Sequence, residues 1–266
     1  DKKFLPEDLD PELIFIRSTA YDRTYRSALG FIKGLYEPKS EAELIDVFSG
    51  SMSMDVLRPG DKFCKDVKQR SDDFFSDPEF LQYLEEIKAK IENVTDLLKD
   101  ELTPNGIDMM CDWVTTMYCN NKQIPSSITN EEITACRQFQ GKMLFGLFGG
   151  DEKKRGVGFS YTYREMMRLL DASLGGNTKT KFILLSAHDS TVSMMLSALG
   201  YSHEYIPPLA SHVAMEVYMK DDEAYVRFVY NGEPLKLKYF ENKELITLHE
   251  FRLLMDPLTD YCPEVP

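Results

Sequence analysis

Residues Leu184–Met195 read L-L-S-A-H-D-S-T-V-S-M-M, an apolar run that stops at a His-Asp pair and resumes with helical spacing. The run Lys181–Ala187 (K-F-I-L-L-S-A) has the composition of a buried strand. Beyond it, Val192, Met195, Leu196 and Leu199 make a helical stripe that Gly200 ends. His188 and Asp189 therefore fall at the carboxyl end of a strand. Open α/β sheets bind ligands there, because helix N-termini and their free N–H groups converge on that edge.

A second unit of the same kind lies near the start of the chain. Leu13–Arg17 (L-I-F-I-R) reads as a buried strand, and Ser18 and Thr19 are expected N-caps. Tyr25, Ala28, Leu29, Ile32, Leu35 and Tyr36 then recur on one helical face. Arg17 thus occupies the position on its strand that His188-Asp189 occupies on the other. Between the units the character changes to helical patterns such as Asp77–Leu98 and Ile107–Asn120, broken at Gln123-Ile124-Pro125. Tyr161–Leu174 is a further amphipathic helix, while Ala214–Met219 and Ala224–Tyr230 alternate as two strands joined by the turn Lys220–Glu223. The expected fold is α/β: a mostly parallel sheet flanked by helices, residues 1–58 and 152–266, with an all-helical cap inserted at 59–151.

Bulk properties narrow the function. The 266 residues suffice for one large or two modest domains, and a net charge of -13 repels phosphate backbones and anionic lipid. Nucleic acid is excluded as a partner on that ground, and an anionic ligand needs a local cluster of Arg, Lys or His. No window approaches the ~20 consecutive apolar residues of a membrane helix, so no membrane insertion is expected within this chain. The chain opens on D-K-K-F-L-P-E-D rather than Met, which reads as a processed or truncated N-terminus without a signal peptide. Cys64, Cys111, Cys119, Cys136 and Cys262 include no C-x-x-C pair and no His at ligand spacing, so neither a metal nor another cofactor is expected. They fit long-range disulfides in a secreted chain or buried thiols in a cytosolic one, and Asn93-Val94-Thr95 is a glycosylation sequon, a pattern that also arises by chance.

A lone His at a strand end is more often a satisfied polar residue than a ligand. Company shifts the reading: Asp189 adjoins His188, and the neighbouring strand end carries Arg17 in R-S-T-A-Y-D-R-T. Guanidinium and imidazole suit a tetrahedral oxyanion, and an adjacent carboxyl can protonate a leaving group. Asp22 and Arg23, one turn into the helix, are read as tying its N-terminus to nearby loops by an ion pair rather than as catalytic. His203, His212 and His249 lack acidic or cysteine partners and are read as surface or core residues. Gly146, Gly149 and Gly150 resemble a phosphate loop only superficially. They lack the preceding strand and the Lys-Ser/Thr, and are read as a helix end leading into a solvated run, Asp151–Arg155.

Three ordered blocks, Arg17–Thr24 (R-S-T-A-Y-D-R-T), Ser186–Val192 (S-A-H-D-S-T-V) and Pro207–Tyr218 (P-P-L-A-S-H-V-A-M-E-V-Y), resemble the histidine acid phosphatases, the branch with lysosomal and prostatic-type enzymes and phytases. The resemblance implies that Arg17 clamps phosphate, that His188 binds it, and that Asp189 protonates the leaving group. It implies a phosphohistidine intermediate on a His in an N-terminal Arg-His-Gly-x-Arg-x-Pro motif. No such motif occurs here, and Ala20 stands where the family commonly has Asp. Because that segment supplies a central strand, the nucleophile is expected upstream of residue 1. The function implied is hydrolysis of small phosphomonoesters in a lysosomal, secreted or cell-surface setting, with a homodimer as one assembly. The alternative is a catalytically inactive pseudophosphatase serving as a structural or binding subunit. The resemblance also implies a Cys64–Cys262 bond between cap and C-terminal tail. Cys136 then pairs with Cys111 or Cys119, with Cys119 favoured by the short intervening segment.

Overall fold

The computed structural model describes residues 4–36, 45–52, 55–58, 64–98 and 102–262. Its first strand, β1 (Ile14–Ser18), buries Ile14, Ile16 and Ser18. Helix α1 (Asp22–Leu35) crosses over to β2 (Val47–Ser49), which pairs in parallel with β1. The buried face of α1 is narrower than the apolar pattern suggests. Thr24, Ala28, Ile32 and Tyr36 face the sheet at four-residue spacing, while Tyr25 and Leu35 are exposed.

Five helices follow: α2 (Lys65–Phe75), α3 (Pro78–Lys90), α4 (Glu92–Thr95), α5 (Pro104–Cys119) and α6 (Asn130–Phe148). They enclose a core of their own, including Phe80, Ile87, Ile91, Val94, Ile107, Val114 and Phe139. The helix expected over Asp77–Leu98 is broken at Ile91, which is fully buried and leaves helical geometry (φ -122°, ψ 36°). Local signals place the starts: Asp77 accepts from the Glu79 and Phe80 amides, and Thr129 and Glu132 form a reciprocal capping box. The expected start of the helical insertion, residue 59, lies outside the described residues.

Helix α7 (Glu152–Leu174) begins at Asp151, whose side chain accepts from the Lys154 amide. The run Asp151–Arg155 is therefore not simply solvated. Arg155 is buried, donating to the Ala198 carbonyl at 3.2 Å with its guanidinium 4.4 Å from the Tyr239 ring centre. Gly156 lets the C-terminal segment close on this helix: a Cβ there would lie 2.5 Å from the Tyr261 ring and 2.6 Å from the Leu258 carbonyl oxygen.

Strand β3 (Phe182–Ser186) returns to the first sheet, parallel to β1, and gives way to α8 (Asp189–Ala198). Strands β4 (Val213–Lys220) and β5 (Glu223–Tyr230) form an antiparallel hairpin, joined by β6 (Glu233–Pro234) and β7 (Leu245–Thr247) before α9 (Leu248–Met255). Among the described strands, parallel pairing is thus confined to the order β2-β1-β3, and the other four form a separate antiparallel sheet. The reason is local. Asp221 and Asp222 take positive φ (51° and 64°), the two-residue turn that reverses a chain between antiparallel partners. Among the described strands β3 is an edge of its sheet, and Phe182–Leu185 are only partly covered. No helix among the described residues is long and apolar enough to cross a membrane.

Cys64 and Cys262 form a disulfide with Cα atoms 5.3 Å apart, joining the start of the helical region to the C-terminal segment. Cys136 lies against Cys111 rather than Cys119: both are fully buried, whereas Cys119 is exposed at the end of α5. The Cys111 thiol is pushed up first by its hydrogen bond with Cys136 and then by burial. The Asn93 sequon also reads differently in three dimensions, because its Nδ2 donates to the buried Glu132 carboxylate at 3.2 Å. Peptide mapping without reductant is expected to find Cys64 linked to Cys262, ready alkylation of Cys119 alone, and an unmodified Asn93. A Cys119–Cys136 peptide would contradict the packing.

Candidate active site

Strands β1 and β3 lie side by side with Ser18 level with Ser186, so both release the chain at the same sheet edge. The Thr19 amide continues the ladder to the Ser186 carbonyl (3.1 Å), and the Ser186 hydroxyl donates to the Thr24 carbonyl (2.7 Å). These bonds fasten the first turn of α1 beside the start of α8. Thr19 is therefore not a helix cap. Its hydroxyl meets the Thr24 hydroxyl at 2.8 Å and His188 Nε2 at 3.0 Å, and α1 begins after Tyr21 without a side-chain cap.

His188 is buried and extended (φ -125°, ψ 163°) immediately before α8. Arg23 Nη2 donates to His188 Nδ1 at 3.3 Å, which leaves Nε2 to carry the proton toward Thr19. Tyr21 stands edge-on to the imidazole, 5.0 Å between ring centres, and Arg23 and Arg58 each lie over the Tyr21 ring at 4.7 and 4.9 Å. The Arg58 guanidinium also donates to the Tyr21 hydroxyl. Its backbone arrives by a separate tie: the His188 amide donates to the Thr191 hydroxyl, which donates to the Leu57 carbonyl at 2.7 Å. Burial, then Arg23 and Arg58, holds His188 down at about 4. The imidazole is neutral at physiological pH and sits in a local positive field within a chain of net charge -13.

The ion pair expected for Arg23 does not form. Asp22 pairs with Arg26 along the helix (2.8 Å), and Arg23 turns to His188. Among the described residues neither Arg23 nor Arg58 has a carboxylate within ion-pair distance. Arg17 is engaged differently, its Nη1 donating to Glu165 at 2.7 Å and its Nη2 to Asp55 at 3.4 Å. Among the described residues its Nε is buried without an acceptor. Burial pushes the Glu165 carboxyl up, but bonds from Arg168 and Arg17 outweigh that and hold it below its ordinary value. Gly50 follows β2 against this pair, where a Cβ would lie 3.2 Å from Arg17 Nη2 and 3.3 Å from Asp55 Oδ2. Asp189 is the first residue of α8, and its Oδ1 accepts from the Ser190 amide at 2.7 Å.

The structure thus brings Arg17, His188 and Asp189 to one sheet edge. It adds Thr19, Tyr21, Arg23 and Arg58, which sequence reasoning missed or assigned elsewhere. His203 lies apart, between the Phe145 and Tyr230 rings. A family model, the histidine phosphatase superfamily (branch 2), matches residues 2–231. The chain belongs to the histidine phosphatase superfamily, branch 2. Among its relatives, the chain is 24% identical to counting factor 60 of Dictyostelium discoideum, over 90% of the chain and 59% of that protein. It is 26% identical to prostatic acid phosphatase of Rattus norvegicus, over 96% of the chain and 72% of the relative. The human prostatic acid phosphatase is 27% identical, over 87% of the chain and 64% of the relative. The chain therefore spans 59–72% of the length of these relatives. In fold it is similar to the phytase from Citrobacter braakii, with a TM-score of 0.71 and 15% identity over 97% of the chain and 82% of that structure.

Proposed function

We propose that the chain is the larger part of an acid phosphatase that hydrolyses small phosphomonoesters through a phosphohistidine. The carrying observation is the setting of His188: a neutral imidazole at the N-terminus of α8, beside Arg23 and Arg58, which lack carboxylate partners among the described residues. Guanidinium groups and a helix N-terminus both favour a tetrahedral oxyanion. On this reading the phosphoryl group rests against His188, and Arg17 offers it the unpartnered Nε. Helices α2–α6, within residues 59–151, act as the cap over the site.

The nucleophile is a His carried upstream of residue 1, on a segment that pairs with the open edge of β3. Its ring nitrogen attacks phosphorus while the ester P–O bond breaks, and Asp189 gives its proton to the departing oxygen. Water then attacks phosphorus, the P–N bond breaks, and Asp189 takes back a proton. An approaching phosphate dianion counters the field of Arg23 and Arg58 and draws His188 toward its protonated, doubly donating form. The disulfide and the relatives support a lysosomal, secreted or cell-surface setting.

The alternative is a pseudophosphatase that keeps the oxyanion site without chemistry. Incubating the full-length polypeptide with p-nitrophenyl phosphate at acid pH separates the two. Turnover together with an acid-labile phosphoenzyme is the expected result. Phosphate binding with neither product nor phosphoenzyme would establish the pseudophosphatase.

A further inference from the structure

The described residues place a second charged surface opposite the arginines. Helix α5 packs along α6, and α6 packs against α8. The approach is close, since a Cβ on Gly141 of α6 would lie 2.4 Å from the Glu204 carbonyl oxygen in the segment beyond α8. Asp108 and Asp112 stand one turn apart on α5 and so share a face. Both carboxylates feel that of Asp189, and Asp112 also feels Arg23. Burial pushes the Asp108 carboxyl up to about 6, Asp112 and Asp189 push it the same way, and a hydrogen bond from Gln140 opposes them. Among the described residues neither Asp108 nor Asp112 has an ion-pair partner.

Gln140 supplies the independent sign of a ligand. It projects from α6 with 3% of its surface exposed, its amide bonded to Asp108, yet among the described residues its Oε1 is buried without a partner. A buried carbonyl oxygen with no donor carries a desolvation cost, so a missing donor is implied. Two carboxylates thus stand in the field of Asp189, and the buried Gln140 amide that bonds one of them still holds an oxygen without a donor among the described residues. Among the described residues no group of three His, Cys, Asp or Glu side chains is placed to hold a metal ion. Carboxylates and an amide oxygen are hydrogen-bond acceptors, so they suit a cation that carries N–H donors.

We propose that Asp108 and Asp112, with Gln140, form the leaving-group wall of the site and select phosphomonoesters whose alcohol bears a cationic amine. The same wall disfavours leaving groups that carry further phosphates. This assignment rests on the phosphatase reading, with phosphate against His188 and the ester oxygen toward Asp189. The leaving group then projects toward α5, where a cation meets two carboxylates and a polyanion meets repulsion.

The test compares kcat/KM of the full-length polypeptide at pH 7, above the value of about 6 to which Asp108 is pushed, on phosphoethanolamine, glycerol 2-phosphate and myo-inositol hexakisphosphate, together with Asp108→Asn, Asp112→Asn and the double variant. Within each variant, only ratios to glycerol 2-phosphate are read. The phosphoethanolamine ratio is expected to fall ~5-fold per carboxylate removed, and the hexakisphosphate ratio to rise by a similar factor. Both ratios staying within twofold of the unsubstituted protein in the double variant would overturn the proposal. Should the variants not fold, raising ionic strength with the unsubstituted protein must shrink the preference for phosphoethanolamine, and a salt-independent ratio would overturn it equally. No turnover of any of the three esters would remove the phosphatase reading first and this inference with it. Turnover with unaltered ratios removes this inference alone.

Discussion

Replacing Asp189 by Asn in the full-length polypeptide is expected to lower kcat/KM on an alkyl phosphate ~10²–10⁴-fold, the usual reach of a general acid. The loss on p-nitrophenyl phosphate should be much smaller, because p-nitrophenolate departs without a proton. Asn keeps the size of the side chain and an oxygen for the Ser190 amide, so the start of α8 is preserved. His188→Ala, by contrast, should cripple both esters, since it removes the group on which the phosphoryl oxygens are proposed to rest. Steady-state kinetics on the two esters measure the difference. Equal losses for Asp189→Asn would withdraw the proton-donor role while leaving the oxyanion site intact.

The second large effect concerns stability. The Cys64–Cys262 bond spans a sequence separation of 198 residues and ties α2 to the C-terminal segment that covers α7. In the chain-entropy model a loop of that size contributes about 5 kcal/mol by restricting the unfolded chain, an appreciable share of the 5–15 kcal/mol typical of a folded domain. Both sulfurs lie in a buried cluster with Val157 and Tyr161, so their replacement also loosens packing under the first turns of α7. Cys64→Ser with Cys262→Ser should therefore unfold at much lower denaturant, most clearly for the helical region and α7. A loss below 1 kcal/mol would mean that the unfolded chain is already compact enough to make the crosslink redundant.

What was legible in the sequence was mainly what local patterns determine. The apolar runs at Leu13–Arg17 and Lys181–Ala187 became the paired strands β1 and β3, and the alternating runs after Ala214 became the hairpin β4–β5. The His188-Asp189 junction lay where strand ends place ligands. Arg23 was misjudged because its partner is set by the register of β1 against β3, which no local pattern reveals. Arg58 arrives through the Thr191–Leu57 tie, and Asp108 and Asp112 come within the field of Asp189 only because α5 packs on α6 and α6 docks against α8. The same limit explains Arg155. It reads as one member of a charged surface run until the Tyr239 ring and the end of α8 cover it. Pairings across the chain, not composition, decided each of these.

The most direct test of the account is the structure of the full-length polypeptide with vanadate bound. The account predicts the oxyanion at the N-terminus of α8, within hydrogen-bond distance of a His188 ring nitrogen and of Arg17 Nε, with the Asp189 carboxyl beside the apical oxygen. Vanadate bound away from α8, with His188 still paired only with Thr19 and Arg23 and Arg17 Nε still without an acceptor, would contradict it.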